Sequence, residues 1–555
     1  MQRIVGRIKN ERTFLLGSLL YAAGIAFVFP YLRFYVDNPD TISYITIARK
    51  YAHADFPNAV NGYWSPLISW MLALLMKLQR DEIITFKLLQ ILIGWFALYH
   101  FVKLAHSFIH SSGVRVIVSL AFIPFLLSYS LLNLTPDLLF LSAILLYLRS
   151  VSEKEFFNHR HFGLIAGVLG VLMYFSKAFG FWFFLVHFTI LSLKNILQTK
   201  EYAFKRHLRK NYFQAMVCFI GIASIWIYLV SYKYGHFTIS ENASFNLSRE
   251  VAAGPGEQNK LPVLSGGLYQ PVNTTAVNAW EDPGFLTVTP LHPLSVAADM
   301  KLYREVLKRN LLTIYYFDFR RQTGIVFFIL LVAFLFSRKR KKILTDDYLF
   351  SLFFAILIVY SGFALILVHT RYVWICTILM LLLTCRLLEE LLWQSKSQKL
   401  IAKILFVCFV LLSIKRPVKE ILFSGDNEMS ASVLFNSIIH PVETMGMTYA
   451  PDVQLRDVTR RMKPLVRPGA SIVSIIDSNT MRDGYTKASL FALGTNAKYL
   501  GQVSEDDPVL QDQSMKFNFD YLIYFPAKIQ LPDTIHWSLL FSSRGFPMNI
   551  YSRKK

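Results

Sequence analysis

The chain has 555 residues, 54% hydrophobic, 15% aromatic and only 17% charged, with a mean hydropathy of +0.40. Soluble domains carry about a quarter charged residues, so this balance, with 47 Phe and repeated long apolar runs, excludes a disordered chain, a collagen and a simple soluble enzyme. The formal charge of +22 falls in clusters between apolar runs, as cations that anchor cytoplasmic loops do, and not as a nucleic-acid footprint.

The basic N-terminus MQRIVGRIKNER leads into an apolar run over 13–30 with no convincing cleavage site after it, which predicts an uncleaved first transmembrane helix. The following segment, 31–65, carries Asp37, Asp40, His53 and Asp55 among aromatic residues. Within it, 41–54 spaces Ile42, Ile45 and Ala48 as a helix lying flat at the membrane surface. Asp40 stands where an N-cap would, and a carboxylate held there could also serve as a general base. The next apolar run, 66–79, would extend only roughly 21 Å as a helix, short of a roughly 30 Å hydrocarbon core. Further runs lie at 84–105, 114–131, 134–149, 162–176, 178–194, 212–232, 322–337, 347–366, 371–391 and 400–415. The four cysteines, Cys218, Cys376, Cys385 and Cys408, sit in or beside these runs without CxxC spacing and read as small core residues.

Charge parity decides what 66–79 does. The strongest basic loops, 194–210 and the RKRKK run at 338–342, belong on the cytoplasmic side with the N-terminus. Both fall there only if 66–79 does not cross, which gives eleven crossings plus one re-entrant or interfacial element. Segment 31–65, the corners at 133–137 and 176–180, loop 233–321, the turn at 369–371 and everything from about 418 then lie outside.

Ionisable residues at the mouths of apolar segments are costly unless used or paired. Asp137 opens a helix in Thr135-Pro136-Asp137, where capping and substrate orientation are both natural roles. Lys177 sits in FSKAF with no acid nearby in sequence; it reads as a snorkelling lysine or as a contact for an anionic headgroup. Loop 233–321 holds three Asn-x-Ser/Thr sites, at Asn242, Asn246 and Asn273, which matter only in a glycosylating compartment. Its Trp280, Glu281 and Asp282 suit sugar hydroxyls or an interfacial anchor. Arg320 and Arg321 open the next helix as phosphate contacts or anchors. Arg371, two residues after His369, occupies a short external turn; its fork suits a phosphate, and its alternative is a pair with Glu281 or Asp282. Asp37 and Asp40 lack a His/Cys cluster, so a divalent metal is unsupported and no cofactor is expected. From about Asp426 the composition becomes that of a soluble unit: an amphipathic helix at 455–466, then strand runs at 471–476, 520–526 and near 536–541, which suggest a small α/β domain without a nucleotide or hydrolase motif.

The order of these features resembles the GT-C integral membrane glycosyltransferases, near the family-39 group of protein O-mannosyltransferases and lipid A aminoarabinose transferases. The resemblance covers about 1–415. It rests on Asp40 in DTISY, Tyr63-Trp64-Ser65-Pro66-Leu67 where that group often has Pro-Pro-Leu, Thr-Pro-Asp ending in Asp137, Phe175-Ser176-Lys177-Ala178, and Arg371-Tyr372. The resemblance implies an all-α polytopic membrane domain of GT-C type over 1–417, to which the composition adds a C-terminal extramembrane α/β domain over 418–555. It implies inverting transfer of a polyprenyl-phosphate-linked sugar to a glycan, lipid or protein acceptor on the outer face of a membrane, here expected to be a bacterial plasma membrane, with membrane lipids as the surroundings and no nucleic-acid partner. Carried over by position, Asp40 would be the base, Asp137 would shape the site, and Lys177 and Arg371 would hold the leaving phosphate. His369, Tyr44, Trp64, Glu281 and Asp282 complete the substrate-binding candidates. Thr41 stands where the family often has a second acid and Ala178 where it has glycine, departures that bear on metal use and phosphate contact.

Two other classes compete. A transporter or flippase for a lipid-linked or anionic substrate would want midplane charges and an inverted repeat, and the sequence shows neither. A scaffold would want an exposed motif on the C-terminal unit.

Overall fold

The computed structural model describes residues 2–78, 81–252, 266–286, 300–320, 324–392, 396–422, 450–477, 481–504, 518–525, 537–542 and 548–554. Helix α1 (Gln2–Leu32) is followed by α2 (Pro39–Ala52), α3 (Phe56–Ala59), α4 (Pro66–Leu75), α5 (Glu82–Phe108), α6 (Ser112–Ala121), α7 (Ile123–Leu131) and α8 (Asp137–Ser152). Then come α9 (Lys154–Asn158), α10 (Phe162–Ser176), α11 (Phe179–Gln198), α12 (Tyr202–Tyr234) and α13 (Glu241–Ala252). The last membrane-region helices are α14 (Met300–Ile314), α15 (Gly324–Phe336), α16 (Lys342–Thr345), α17 (Asp347–Ala364), α18 (Thr370–Leu392) and α19 (Lys396–Leu422).

Each of the eleven predicted apolar runs overlaps a helix. Seven stretches are long and apolar enough to cross a membrane: the greater part of α1, α5, the α6–α7 pair, α11, α12, α17 and most of α18. The run at 114–131 breaks at Phe122 because Pro124 has no N–H to donate to the preceding turn. Run 66–79 becomes α4, whose 10 residues reach only about 15 Å. Lys194 pairs with Asp347 at 2.5 Å, Lys342 with Glu390 at 2.7 Å, and Gln198 donates to the Leu344 carbonyl at 3.0 Å. The two basic loops therefore share one end of the bundle, the pairing that the charge argument demanded. Cys376 and Cys385 are buried and Cys218 is half-buried, but Cys408 is exposed. It sits on an outward face of α19 with Leu400, Ile404 and Leu411, a face suited to lipid rather than to core.

One expectation about segment 31–65 is corrected. The N-cap of α2 is Asn38, whose Oδ1 accepts from the Asp40 N–H at 3.0 Å; Pro39 takes the first helical position, so Asp40 lies inside the first turn. Helix α2 is covered on both faces, with residues 39–48 all buried. Thr41 donates to the Leu134 carbonyl and Ser43 to the Trp280 carbonyl, each at 3.1 Å, so hydroxyls between the apolar positions let both faces be covered.

The C-terminal region forms α20 (Ala450–Met462), α21 (Met481–Thr495) and a six-stranded mixed sheet. Its strands are β1 (Gly267–Leu268), β2 (Ser471–Ile476), β3 (Lys498–Ser504), β4 (Tyr521–Phe525), β5 (Trp537–Ser542) and β6 (Asn549–Arg553), in the order β1-β3-β2-β4-β6-β5. β2 is parallel to β3 and β4, and its side chains are buried on both faces. The expected helix at 455–466 starts earlier and stops at Met462, two residues before Pro464. Strand β1 comes from loop 233–321 and pairs Gly267 with Gln502 of β3, so the sheet is not built from the C-terminal region alone.

Without a hydrophobic drive between apolar helices, close backbone approach decides membrane packing. Helices α10 and α12 meet where Gly163 and Gly167 face Asn211 and Ala215; a Cβ at Gly163 would come within 2.2 Å of the Asn211 carbonyl oxygen, whereas one at Gly113 would meet nothing within 4 Å. Gly163→Val should therefore destabilise the folded protein by about 1–3 kcal/mol. Gly113→Ala should be neutral or mildly stabilising. Thermal melts in detergent check both.

Candidate active site

Four ionised side chains converge on a narrow cavity of about 50 Å³. Asp40 comes from the first turn of α2, Asp137 from the start of α8, Lys177 from the α10–α11 corner and Arg371 from the start of α18. Each stands at a helix terminus, where the chain turns and a polar side chain can leave the apolar bundle. All four termini lie at one end. The basic loops lie at the other, the length of α11 away, roughly 30 Å.

The charges pair crosswise. Arg371 Nη2 contacts Asp40 Oδ2, and Lys177 Nζ contacts Asp137 Oδ1. Asp137 Oδ2 also accepts from the Thr135 hydroxyl at 2.7 Å. Lys177 Nζ lies 3.9 Å from the centre of the Tyr372 ring and 5.4 Å from that of Phe363, an aromatic cradle for a cation. Asp40 Oδ1 accepts from the Trp280 indole N–H at 2.8 Å. Arg371 donates from Nη2 to the Tyr372 hydroxyl at 3.4 Å, but its Nε and Nη1 are buried without a hydrogen-bond partner. A buried guanidinium fork with two idle donors is a demand for an oxygen-rich anion.

Tyr44, Tyr63, Trp64, Phe179, Phe363 and Tyr372 give the cavity aromatic walls. Burial, reinforced by the carboxylates of Asp40 and Asp137, pushes the Tyr44 phenol well above its ordinary value. Tyr44 is therefore an O–H donor at neutral pH, and Asp40 is left as the natural proton acceptor.

The remaining predicted residues take other places. Glu281 pairs with Lys50 and Asp282 with Lys233 at 2.6 Å; neither lines the cavity. Burial raises the Glu281 carboxyl while the Lys50 ammonium opposes it. The Asn61 amide donates to the Glu281 carbonyl at 2.8 Å and the Tyr234 hydroxyl to Asp282 at 2.5 Å, so this pair fastens the loop to the bundle. Neither acid is the partner of Arg371, which is Asp40. His369 accepts from the Arg371 backbone N–H at 3.3 Å and packs on Tyr372 without reaching the cavity wall. Asn242 lines the cavity, and Asn246 is 2% exposed with its amide donating to Asn242, which leaves no room for a glycan at Asn246. The Arg320 side chain and the whole of Arg321 lie outside the described residues. Among the described residues no three His, Cys, Asp or Glu side chains converge as a metal set. A larger cavity of about 500 Å³ between α2, α5, α20 and α21 holds the pairs Arg49–Glu82 and Arg456–Asp81, with no carboxylate left to act as a base.

Sequence reasoning missed the link from Trp280 to Asp40 across 240 positions and the part played by Asn242, because neither residue lies near the site in sequence.

The sequence matches no family model and no curated protein. Solved structures do match it. ArnT from Cupriavidus metallidurans bound to undecaprenyl phosphate superposes with a TM-score of 0.51 at 12% identity, covering 97% of this chain and 97% of that one. The archaeal oligosaccharyltransferase AglB from Archaeoglobus fulgidus, in complex with an inhibitory peptide and a dolichol-phosphate, gives 0.50 at 10% identity, covering 93% of this chain and 69% of that one. Its apo form gives 0.52. The chain has the GT-C polytopic membrane fold.

Removing one member of a buried pair leaves the other charge uncompensated. Lys177→Met should destabilise the protein by about 3 kcal/mol, and adding Asp137→Leu should recover much of the loss. A double-mutant cycle of melting temperatures in detergent checks this; equal melting of both single variants and wild type would show the pair to be idle.

Proposed function

We propose that the protein is an inverting glycosyltransferase that moves a sugar from a polyprenyl-phosphate donor to an acceptor on the outer membrane face. The observation that carries this reading is Arg371, paired to a candidate base while two of its buried nitrogens await an acceptor. Beside it stands a second cation, Lys177, and around both runs an aromatic wall suited to a sugar ring. The fold adds support, since ArnT and AglB have been solved with undecaprenyl phosphate and a dolichol-phosphate.

The chemistry divides among these residues. Asp40 takes the proton of the acceptor hydroxyl or amine as that atom attacks the anomeric carbon from one side. The bond from that carbon to the phosphate oxygen breaks, and its electron pair leaves with the phosphate. Arg371 and Lys177 meet the charge that develops there, in a site poor in water where fixed cations act strongly. Asp137 holds Lys177 in place. In this reading 1–417 is the catalytic membrane region and 418–555 an extramembrane unit on the same outer side, in a bacterial plasma membrane. The transporter reading is weaker because the four site charges gather at one end of the bundle and not at its middle.

Transfer of radiolabel from a panel of polyprenyl-phosphate sugars in membranes tests the proposal. Asp40→Asn, at matched expression, should lower transfer by about 10²- to 10⁴-fold. Arg371→Lys should lower it as well, because an ammonium cannot replace the fork. Transfer that persists in Asp40→Asn would move the base to another residue. Wild-type membranes inert toward every donor, with cell glycans unchanged on deletion, would favour the transporter.

A further inference from the structure

Trp280 joins the cavity to the loop and to the C-terminal sheet. Its indole N–H donates to Asp40 Oδ1 at 2.8 Å. Its carbonyl accepts from the Ser43 hydroxyl at 3.1 Å and from the Trp64 indole at 3.3 Å, and its ring packs edge-on against Tyr63, Trp64 and Phe245. Its backbone meets the Tyr485 hydroxyl of α21. Two residues before it, Asn278 forms a bridge with Tyr499 of β3, and its amide donates to Ser489 of α21 at 3.2 Å. The Tyr499 N–H donates to the Val277 carbonyl at 2.7 Å, and β1, earlier in the same loop, pairs with β3. Trp280 is 2% exposed, so the indole has one fixed orientation.

Resting on the glycosyl-transfer reading above, we propose that Trp280 is a positioning residue for Asp40. It holds Oδ1, so that Oδ2, the oxygen now facing Arg371, takes the acceptor's proton once a donor phosphate draws Arg371 away. The acceptor oxygen or nitrogen loses its proton to Oδ2 and bonds to the anomeric carbon, and the bond from that carbon to phosphate breaks with its electrons leaving on the phosphate. A carboxylate held by Arg371 alone would swing when that pair opens. The indole keeps it aimed, and the C-terminal sheet keeps the indole in place. The sheet thus reaches the chemistry without contributing a group to it.

The test follows binding of a short-chain polyprenyl phosphate to the purified full chain over the acid range of pH. Protonation of Asp40 releases Arg371, so binding tightens as pH falls through the point where Asp40 titrates. Arg371 contacts Asp40 directly; Asp137, Lys177, Tyr44, Tyr63 and Tyr372 line the same cavity, and Arg249 acts on Tyr63. They are common to all variants, as is the ligand's own titration, so a difference between variants isolates the indole. Trp280→Phe removes the donor and keeps an aromatic ring. Losing a hydrogen bond to a carboxylate makes it easier to protonate, so the midpoint should move up by about one pH unit. Trp280→His, which retains an N–H, should move back toward wild type. In label transfer, kcat of Trp280→Phe should fall about 10- to 100-fold, with the acid limb displaced in the same direction.

A variant that elutes as wild type and binds the lipid phosphate with an unmoved midpoint overturns the inference and leaves the glycosyl-transfer reading standing. Should Trp280→Phe fail to fold, Ser489→Ala and Asn278→Ala loosen the same loop from the sheet side, and an unmoved midpoint in both overturns it equally. Wild-type protein that binds no polyprenyl phosphate at any pH sinks the underlying reading and this inference together.

Discussion

Four ionised groups share the interior of one bundle end, and none can be left there singly. Moving a lone charge out of water costs several kcal/mol even after relaxation, and a partner offsets this only with good geometry. Asp40, Asp137, Lys177 and Arg371 meet that condition by pairing across helices: α2 with α18, and α8 with the α10–α11 corner. The pairs thus join four helix ends at one end of the bundle. Apolar contact does not distinguish one helix partner from another in lipid, so these ion pairs, with glycine approaches such as Gly163 on α12, carry much of the specificity of the arrangement.

Loop 233–321 supplies the second layer. Glu281 and Asp282 do not touch the cavity, yet each is tied to a lysine of the membrane region, Lys50 on α2 and Lys233 at the end of α12. Both pairs fasten the chain immediately after Trp280, whose indole N–H reaches Asp40. The sheet clasps the same loop from the other side through β1 and Asn278. The residue that donates to Asp40 is therefore placed by two regions that are far apart in sequence, and the loop between them is a splint as much as a cover.

What could be read in the sequence follows from the range of each interaction. Apolar runs are local, so all eleven were visible, and the parity of basic loops placed 194–210 and 338–342 on one end, where Lys194–Asp347 and Lys342–Glu390 now join them. Asp40, Asp137, Lys177 and Arg371 stood out because a charge at the mouth of an apolar run is conspicuous, and the cavity collects all four. Their partners were not legible: Lys177 had no acid nearby in sequence, and its partner is 40 positions away. Glu281 and Asp282 looked like sugar contacts because acids beside a tryptophan give the same local pattern whether they face a ligand or a lysine. In the sheet, SIVSII read plainly as a strand, while KYLGQVS and NIYSR did not, since their glycine and polar residues depend on neighbouring strands to complete them.

On the proposed reading, with Asp40 as the base, its pairing with Arg371 also bears on selectivity. A base neutralised by a guanidinium is a poor acceptor for a proton, so an empty site is quiet. A donor that brings a phosphate supplies two or more oxygens to a fork whose Nε and Nη1 are already idle, and such a ligand competes with a single carboxylate oxygen on favourable terms. A neutral sugar lacks any group able to make that exchange, however well it fits the aromatic wall. On that reading, the device that keeps four charges tolerable inside the bundle would also let only a phosphate-bearing donor wake the base, and Lys177, still held by Asp137, would share the charge.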